Sequence, residues 1–387
     1  MTVLNNNILY IYYIPSTKGL SGVMKKLLDQ AESSKEDNLR INFLLLTSET
    51  ELKINLDNIY IENLPKTNYH KKTKAIVEIL DYYSKRFNVF FIRKMTYIPL
   101  LLHALKTFKD KYKLTIINDH QTKEIPEYKN GNEGYIIKLL LEMLEKKGIR
   151  YINRYNLLDG IVATTREILN YEQNLYKCKN GFVMGNGMRY REELKTGFAT
   201  FDGNVLKLVM SIGQYYPWHG LERLIKSMEL YRNYITTKLV LIAGKNSKRM
   251  ENIIRKKSNI ELYINPTEDT QKAIYRFSNL AVSSLSLHKK SLKEASPLKS
   301  REYMQRGIPF IYAYYDTDIS NSAISNYFIK IKNDDSIINL EKVVHFLEKM
   351  GDSKEITNKI TAFAKNELSW GKKLKSLENF IREIKNK

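Results

Sequence analysis

Two glutamates eight positions apart offer the clearest chemistry in this sequence of 387 residues. Glu294 opens the segment EASPLKSREYMQRGIP, and Glu302 lies inside it. Two carboxylates so placed can flank one ligand, with the helix start between them. The alternative is an ordinary helix that carries two unrelated acidic residues.

The same segment has the signals of a short helix with defined ends. Ser296 is a suitable N-cap, Pro297 suits the first helical position, and Gly307 suits the position after the last turn. The free N–H groups at such a helix start attract phosphate. Lys299 and Arg301 add positive charge in the first turns, so the sequence predicts an anion site here.

A second candidate ligand loop follows the first apolar run of the chain. Gly19 and Gly22 in STKGLSGV would allow a ligand to approach the backbone closely, as an acceptor or phosphate loop. A lone G-x-x-G pattern is also common in plain turns, and that reading stays open.

Short apolar runs alternate with amphipathic stretches, which is the pattern of an α/β fold with parallel sheets. Predicted strands cover residues 7–14, 41–47, 59–61, 89–92, 114–117, 160–163, 206–212, 238–243, 260–264, 280–283 and 309–312. Predicted helices cover residues 23–33, 72–85, 97–108, 133–147 and 372–384.

The strand series restarts near residue 205, so the chain is predicted to form two facing Rossmann-like domains. The first domain would span 1–189, a polar linker 190–204, and the second domain 205–366. Residues 367–387 would form a helix that packs back toward the first domain. Ligands in such sheets bind at the carboxyl ends of strands, which favours a site between the domains.

The order of these motifs resembles the family 4 glycosyltransferases, which are retaining enzymes with the GT-B fold. The E-x(7)-E pair is accompanied by IGQYYPWHGLERLIKSM at 212–228, LVLIAGKN at 239–246, MGNGM at 184–188 and ELSW at 367–370. The resemblance is specific over 184–385 and loose over 1–183. It implies transfer of a sugar from a nucleoside diphosphate sugar to a glycan or lipid-linked acceptor, in cell-surface polysaccharide synthesis.

The resemblance also assigns roles to individual residues. Glu294 would hold hydroxyls of the donor sugar, and Glu302 would hold the ribose of the nucleotide. Backbone amides around Ser296, Leu298 and Lys299 would surround the diphosphate. The family needs no metal cofactor, and no histidines and carboxylates in this sequence show metal-ligand spacing.

The loop between Gly213 and Gly220 departs from the family pattern. Many members carry an arginine after the first glycine and a lysine before the second, where this chain has Gln214 and His219. Either His219 donates to a phosphate oxygen, or the positive charge comes from elsewhere. The other candidate cations are Lys299, Arg301, His288 and Lys289.

His120 is the second catalytic candidate, because family members carry a histidine near this place beside the donor sugar. It follows the predicted strand LTIIN as part of Asp119-His120. The alternative is a loop histidine that caps a turn.

The formal net charge is +21, which attracts polyanions unless it reflects lysine-rich composition alone. The stretch 133–155 interleaves apolar and basic residues, so it is either a core helix with a solvated end or a surface for anionic lipid.

One cysteine and no signal peptide predict a cytoplasmic protein, at most peripheral on the inner membrane face. The weaker alternatives are a basic protein that binds nucleic acid or membrane, and an inactive GT-B scaffold; the ordered motifs make nucleic acid an unexpected partner.

Overall fold

The protein folds into two compact units in the computed structural model, which describes residues 7–14, 21–49, 52, 54–94, 99–130, 134–244 and 248–386. The first unit comprises Met1–Gly185 and Trp370–Lys387. The second unit comprises Asn186–Ser369. Each unit contains one parallel sheet with helices around it.

The first sheet has seven parallel strands in the order β3-β2-β1-β4-β5-β6-β7. Its strands are β1 (Ile8–Tyr13), β2 (Ile41–Thr47), β3 (Ile59–Asn63), β4 (Val89–Arg93), β5 (Thr115–His120), β6 (Gly160–Ala163) and β7 (Gly181–Val183). Its helices are α1 (Ser21–Glu36), α2 (Tyr69–Ser84), α3 (Pro99–Tyr112), α4 (Glu124–Asn130), α5 (Tyr135–Arg154) and α6 (Arg166–Tyr176). The central strands are continuous buried runs, because helices cover both faces of a parallel sheet.

The C-terminal helix belongs to the first unit. It runs from Trp370 to Lys385, and Leu374, Leu377 and Ile381 are fully buried in the first-unit core. Gly371 allows its close approach, since a Cβ at this position would lie 1.5 Å from Asp37 Oδ2. The apolar spacing of the sequence therefore marks the buried face of this helix.

The second sheet has six parallel strands in the order β10-β9-β8-β11-β12-β13. Its strands are β8 (Val205–Ile212), β9 (Thr236–Ala243), β10 (Ile260–Ile264), β11 (Leu280–Val282), β12 (Phe310–Tyr312) and β13 (Ile329–Lys330). Its helices are α7 (Leu221–Leu230), α8 (Lys248–Ile254), α9 (Glu268–Phe277), α10 (Leu298–Arg306), α11 (Leu340–Glu348) and α12 (Ser353–Glu367), and the C-terminal helix is α13.

The polar stretch 190–204, predicted to be a linker, lies within the second unit. The N–H groups of Thr196 and Gly197 donate to the carbonyl of Arg306, at 3.1 and 2.8 Å, and Ala199 N–H donates to Ser278. Backbone hydrogen bonds thus fix a segment that shows no periodicity of its own. Within the described ranges, no helix is long and apolar enough to cross a membrane.

The predicted strands and helices all appear, with ends that shift by up to four residues, except that the helix predicted to end at 147 continues to Arg154. Sequence patterns missed β7 and β13, which have three and two residues, and the helices α4, α6, α8, α9, α11 and α12. A strand of two or three residues is too short to show an alternation, and its pairing is decided by the neighbouring strand.

Candidate functional site

Two loops of the second unit leave neighbouring strands at the point where the strand order reverses. One follows β8 and runs from Gly213 to Gly220, and the other follows β11 from Ser283 onward. Leu285 N–H donates to the carbonyl of His219 at 3.0 Å, which joins the two loops. Loops at such a reversal form the usual ligand site of an open parallel sheet.

Gly220 must be a glycine for this contact to form. Its φ of 76° is left-handed, and a Cβ here would lie 2.7 Å from Leu285 Cβ. At the other end of the loop, Gly213 and Gln214 are exposed after β8. The loop therefore presents a neutral glutamine to solvent, while its histidine turns inward.

The helix predicted in the E-x(7)-E segment is α10, and its C-terminal end is as predicted. Gly307 caps it with a φ of 74°. The N-terminal end differs, because Pro297 is the N-cap and no side chain caps the helix. Leu298 is the first helical residue, so the uncapped backbone N–H groups of the first turn begin there.

Ser296 is not the N-cap because its side chain has other partners. Its Oγ accepts the backbone N–H of Asn186 at 2.7 Å and a guanidinium N–H of Arg301 at 2.5 Å. Its carbonyl accepts the side-chain amide of Asn186 at 2.5 Å. The Asn-Gly turn in MGNGM is thereby tied to the start of α10.

Arg301 is completely buried, and its guanidinium serves the architecture of this region. It donates to both carboxylate oxygens of Asp316 at 2.8 and 3.0 Å, to Asp318 at 2.6 Å, and to the carbonyl of Asn186 at 2.8 Å. The two carboxylates outweigh the cost of burial and raise the pKa of Arg301 above its usual range. These donors hold protein groups, so the phosphate role predicted for Arg301 has no support in this geometry.

Lys299, two positions earlier, has the opposite environment. Its Nζ is buried and has no hydrogen-bond partner among the described residues. Burial lowers the pKa of Lys299 to about 7, although the carboxylate of Glu302 counteracts that effect. This ammonium is the one predicted phosphate cation that the described part of the chain leaves uncommitted.

His219 lies close enough to Lys299 for the two to interact electrostatically. Burial lowers the pKa of His219 well below its ordinary value, and the charge of Lys299 lowers it further. His219 Nδ1 is buried with no hydrogen-bond partner in the described structure. The histidine is therefore neutral at pH 7, and positive charge at this place resides on the protonated fraction of Lys299, whose pKa is about 7.

The two glutamates are both partly exposed. Glu294 pairs through its backbone with Tyr315, in an isolated parallel bridge beside the helix start. Glu302 lies one turn into α10, where Arg306 Nη2 is 3.3 Å from its Oε1. The helix start thus lies between the two residues in the chain, and neither carboxylate is sealed in the core.

The other predicted cations of the second unit, His288 and Lys289, already have an acidic partner. Asp335 lies 3.2 Å from His288 Nε2 and 3.0 Å from Lys289 Nζ. Both side chains are about a third exposed, at 29% and 33%. A partnered, solvated cation is a weaker phosphate ligand than a desolvated one.

In the first unit, His120 is fully buried at the end of β5. Its Nδ1 lies 3.4 Å from Glu124 and 3.8 Å from Glu172. Burial opposes the charged form, yet these two carboxylates raise the pKa of His120. Burial raises the pKa of Glu172 to about 7.

A second buried ionic contact adjoins this histidine. Tyr176, whose ring lies 5.5 Å from that of His120, donates its hydroxyl to Glu145 at 2.6 Å. Lys94 Nζ is 3.0 Å from the same carboxylate. We call His120, Glu124, Glu172, Tyr176, Glu145 and Lys94 the first-unit cluster.

The described residues give no support to the predicted glycine loop of the first unit as a ligand site. Gly22 lies exposed in the first turn of α1, and Gly19 lies outside the described residues.

Sequence reasoning also missed Asp316 and Asp318, which hold Arg301. No local motif marks them, because they reach the site only through tertiary folding. In the described ranges, no group of three or more His, Cys, Asp or Glu residues could hold a metal ion, and independence of metal remains a prediction.

Comparison with solved structures confirms the predicted GT-B fold. Sucrose-phosphate synthase from Thermosynechococcus elongatus matches with a TM-score of 0.70 at 10% identity, covering 98% of this chain and 99% of that chain. Anabaena HepE, in a complex with UDP and glucose, matches with a TM-score of 0.59 at 11% identity, covering 97% and 99%.

WaaG, a glycosyltransferase involved in lipopolysaccharide biosynthesis, matches with a TM-score of 0.63 at 10% identity, covering 96% of this chain and 99% of that chain. At these identities the similarity is one of fold. No protein-family model and no curated protein match the sequence.

Proposed function

We propose that this protein is a retaining glycosyltransferase of the family 4 type. It transfers a sugar from a nucleoside diphosphate sugar to a glycan or lipid-linked acceptor. The observation that carries the proposal is a lysine in the uncapped first turn of α10, between Glu294 and Glu302 in the chain, whose buried Nζ has no hydrogen-bond partner among the described residues and which interacts electrostatically with His219 of loop 213–220. The GT-B fold supports it, and HepE of that fold holds UDP.

In this proposal the diphosphate binds at the start of α10. The backbone N–H groups of Leu298 and Lys299 point along the helix axis toward it, and the helix dipole favours its negative charge. The Lys299 ammonium neutralises the leaving group. His219 is neutral, so it donates or accepts one hydrogen bond without adding charge.

The two glutamates divide the donor between them. Glu302 accepts hydrogen bonds from the ribose hydroxyls, and Glu294 accepts them from the sugar. When the diphosphate departs, positive charge develops on the sugar ring, and the site acts by orientation and by stabilising charge on both fragments. Contact of His120 with the donor sugar finds no support in its fully buried position.

We infer further that the acceptor is a surface polysaccharide precursor and that the enzyme works on the cytoplasmic side of the membrane that carries it. Three features support this inference: the fold shared with WaaG, the single reduced cysteine and the net charge of +21.

A thermal-shift series with UDP, GDP and ADP tests the donor site directly. A ligand at a hundredfold excess over its Kd adds about 2.7 kcal/mol to stability. At least one of the three should raise the melting temperature of the wild type. Glu302→Ala should lose that rise, since a hydrogen bond to a charged group contributes about 1.5–3 kcal/mol.

Glu294→Gln separates the sugar from the nucleotide. This variant should bind the free nucleoside diphosphate like the wild type, while kcat and kcat/KM for the nucleotide sugar fall together. Glu348→Gln, an exposed acid on α11, is the matched control and should change neither. If no nucleotide stabilises the wild type, or if Glu294→Gln transfers sugar at the normal rate, the proposed site is wrong.

A further inference from the structure

The first half of α5 exposes an unusual concentration of large apolar side chains. The described chain has 15 exposed large hydrophobic residues, and six of them lie within nine positions: Tyr135, Ile136, Ile137, Leu139, Leu140 and Met143. Tyr135 is 75% exposed and Ile136 is 79% exposed. Such a contiguous patch marks a surface that meets another apolar phase or partner.

The second half of the helix explains why the first half is free. The buried residues of α5 are Glu145, Gly148, Ile149 and Ile152, all of them in its later turns. These residues anchor the helix to the unit. The apolar first turns extend beyond this anchor, and their large side chains are exposed in the described part of the chain.

The exposed face changes from apolar to basic along the helix. Residues at positions 136, 140 and 143 and at 147, 150 and 154 follow each other at intervals of three or four, so they share one face. The first three are Ile136, Leu140 and Met143, and the last three are Lys147, Arg150 and Arg154; all six are exposed. Helices that bind at a membrane interface combine exposed apolar side chains with exposed Lys and Arg side chains.

We propose that this face of α5 docks the protein onto a bilayer that contains anionic lipid. The side chains at 136, 140 and 143 enter the acyl boundary, and those at 147, 150 and 154 contact the anionic headgroups. The proposal deepens the lipid-linked acceptor of the proposed function and rests on it only for the identity of that acceptor. Vesicle binding is measured without sugar transfer, so either proposal can fail alone.

Charge decides between a membrane and a second copy of the chain. A symmetric dimer through this face would bring together two chains that each carry three exposed basic residues on the face and a net charge of +21. Like charges at an interface oppose association. An anionic surface, in contrast, gains from every basic residue on the face.

Flotation with vesicles is the direct test. The full chain should float with vesicles of phosphatidylcholine and phosphatidylglycerol, should not float with phosphatidylcholine alone, and should detach as salt rises. An apolar-face variant (Ile136→Gln, Leu140→Gln and Met143→Gln) should bind at least about tenfold more weakly, because glutamine keeps the helix but cannot enter the acyl region.

A basic-face variant (Lys147→Gln, Arg150→Gln and Arg154→Gln) should lose about fivefold per residue. Matched controls carry the same substitutions on exposed residues of the second unit. The apolar control is Tyr234→Gln, Ile264→Gln and Phe277→Gln, and the basic control is Lys226→Gln, Lys342→Gln and Lys349→Gln. Both controls should bind like the wild type.

A fluorescent label gives a second readout that does not depend on affinity. Cys178 is the only cysteine and is buried, and burial raises the pKa of its thiol to about 11. A solvent-sensitive dye attached to Met143→Cys should therefore report α5 alone. Its emission should shift to the blue with anionic vesicles, whereas a dye on Tyr234→Cys should not respond.

Three results would overturn the proposal. The first is an absence of binding to anionic vesicles. The second is equal binding by the apolar-face variant and its control. The third is a concentration-dependent dimer in sedimentation that the apolar-face variant abolishes, with no vesicle binding, which would identify a second copy as the occupant.

Discussion

The two buried histidines of this protein occupy regions with opposite electrostatics. His120, in the first-unit cluster, faces Glu124 and Glu172, and its pKa is raised. His219, in the second unit, faces Lys299, and its pKa is lowered well below the ordinary value. The first region places two carboxylates within 3.8 Å of its histidine, whereas the second places a lysine near its histidine. The buried Nζ of that lysine has no hydrogen-bond partner among the described residues.

This difference distinguishes a cluster that stabilises the fold from a site that can bind a ligand. A buried charge that protein groups compensate contributes to a stable fold, and a buried charge that they leave open costs stability until a ligand arrives. The Lys94–Glu145–Tyr176 part of the first-unit cluster therefore has a structural role. The His219–Lys299 region has the character of an anion site.

The largest expected effect is on stability in the first-unit cluster. Glu145→Gln removes the buried carboxylate that receives Lys94 and Tyr176, and breaking such a pair costs about 3–5 kcal/mol. Thermal unfolding measures the loss. Glu142→Gln, three positions earlier, is the control: its carboxylate pairs with the exposed Lys129 and Lys146, and the change should cost less than about 1 kcal/mol. Equal losses in both variants would remove the architectural role of the cluster.

The next effect is on turnover in the second unit. Lys299→Gln should lower kcat/KM about 100-fold, because it removes a desolvated charge from the leaving group. Affinity for a nucleoside diphosphate should fall, and affinity for the nucleoside should not. His219→Lys in the same chain should restore part of the loss by supplying a lysine where the resembled family has one. Unchanged diphosphate affinity in Lys299→Gln would contradict the comparison.

The two histidines should give stability profiles of opposite sign against pH. For His120 the folded-state pKa is raised, so its contribution is complete below its ordinary pKa of about 6.5 and disappears as pH rises through the folded value. For His219 the folded-state pKa is lowered, so its contribution is present above about 6.5 and disappears as pH falls toward the folded value.

These contributions are measured by the melting temperatures of the wild type, His120→Gln and His219→Gln from about pH 5 to about pH 9. The difference between wild type and His120→Gln should shrink as pH rises. The difference between wild type and His219→Gln should shrink as pH falls. Two profiles with the same slope would mean that the two environments do not differ as described.

The smallest effect concerns the cations that already have a partner. His288→Gln and Lys289→Gln alter side chains that interact with Asp335 in a solvated position. Each should change diphosphate affinity by less than about 0.5 kcal/mol, as surface ion pairs usually do. Calorimetric titration with the nucleotide that stabilises the wild type decides this. A loss as large as that of Lys299→Gln would show that the charge at the site is shared.

The sequence by itself determined the two-sheet α/β architecture, the positions of β1 to β6 and β8 to β12, and the helix that ends at Gly307. These features follow from local periodicity and from glycine and proline positions, which act over a few residues. The buried face of α13 was equally readable, because residues 374, 377 and 381 repeat at helical intervals.

Only the tertiary structure decided which of the candidate cations is already paired with other protein groups. Arg301 and Lys299 look equivalent in the sequence, two positions apart on one short helix. Arg301 donates hydrogen bonds to Asp316, Asp318, Asn186 and Ser296. The first three of these residues come from other parts of the chain. Likewise, the exposure of the first turns of α5 depends on what packs against them. Whether a cation is already paired, and whether a side chain is exposed, depends on the residues that lie near it in the fold. The order of residues along the chain does not show this.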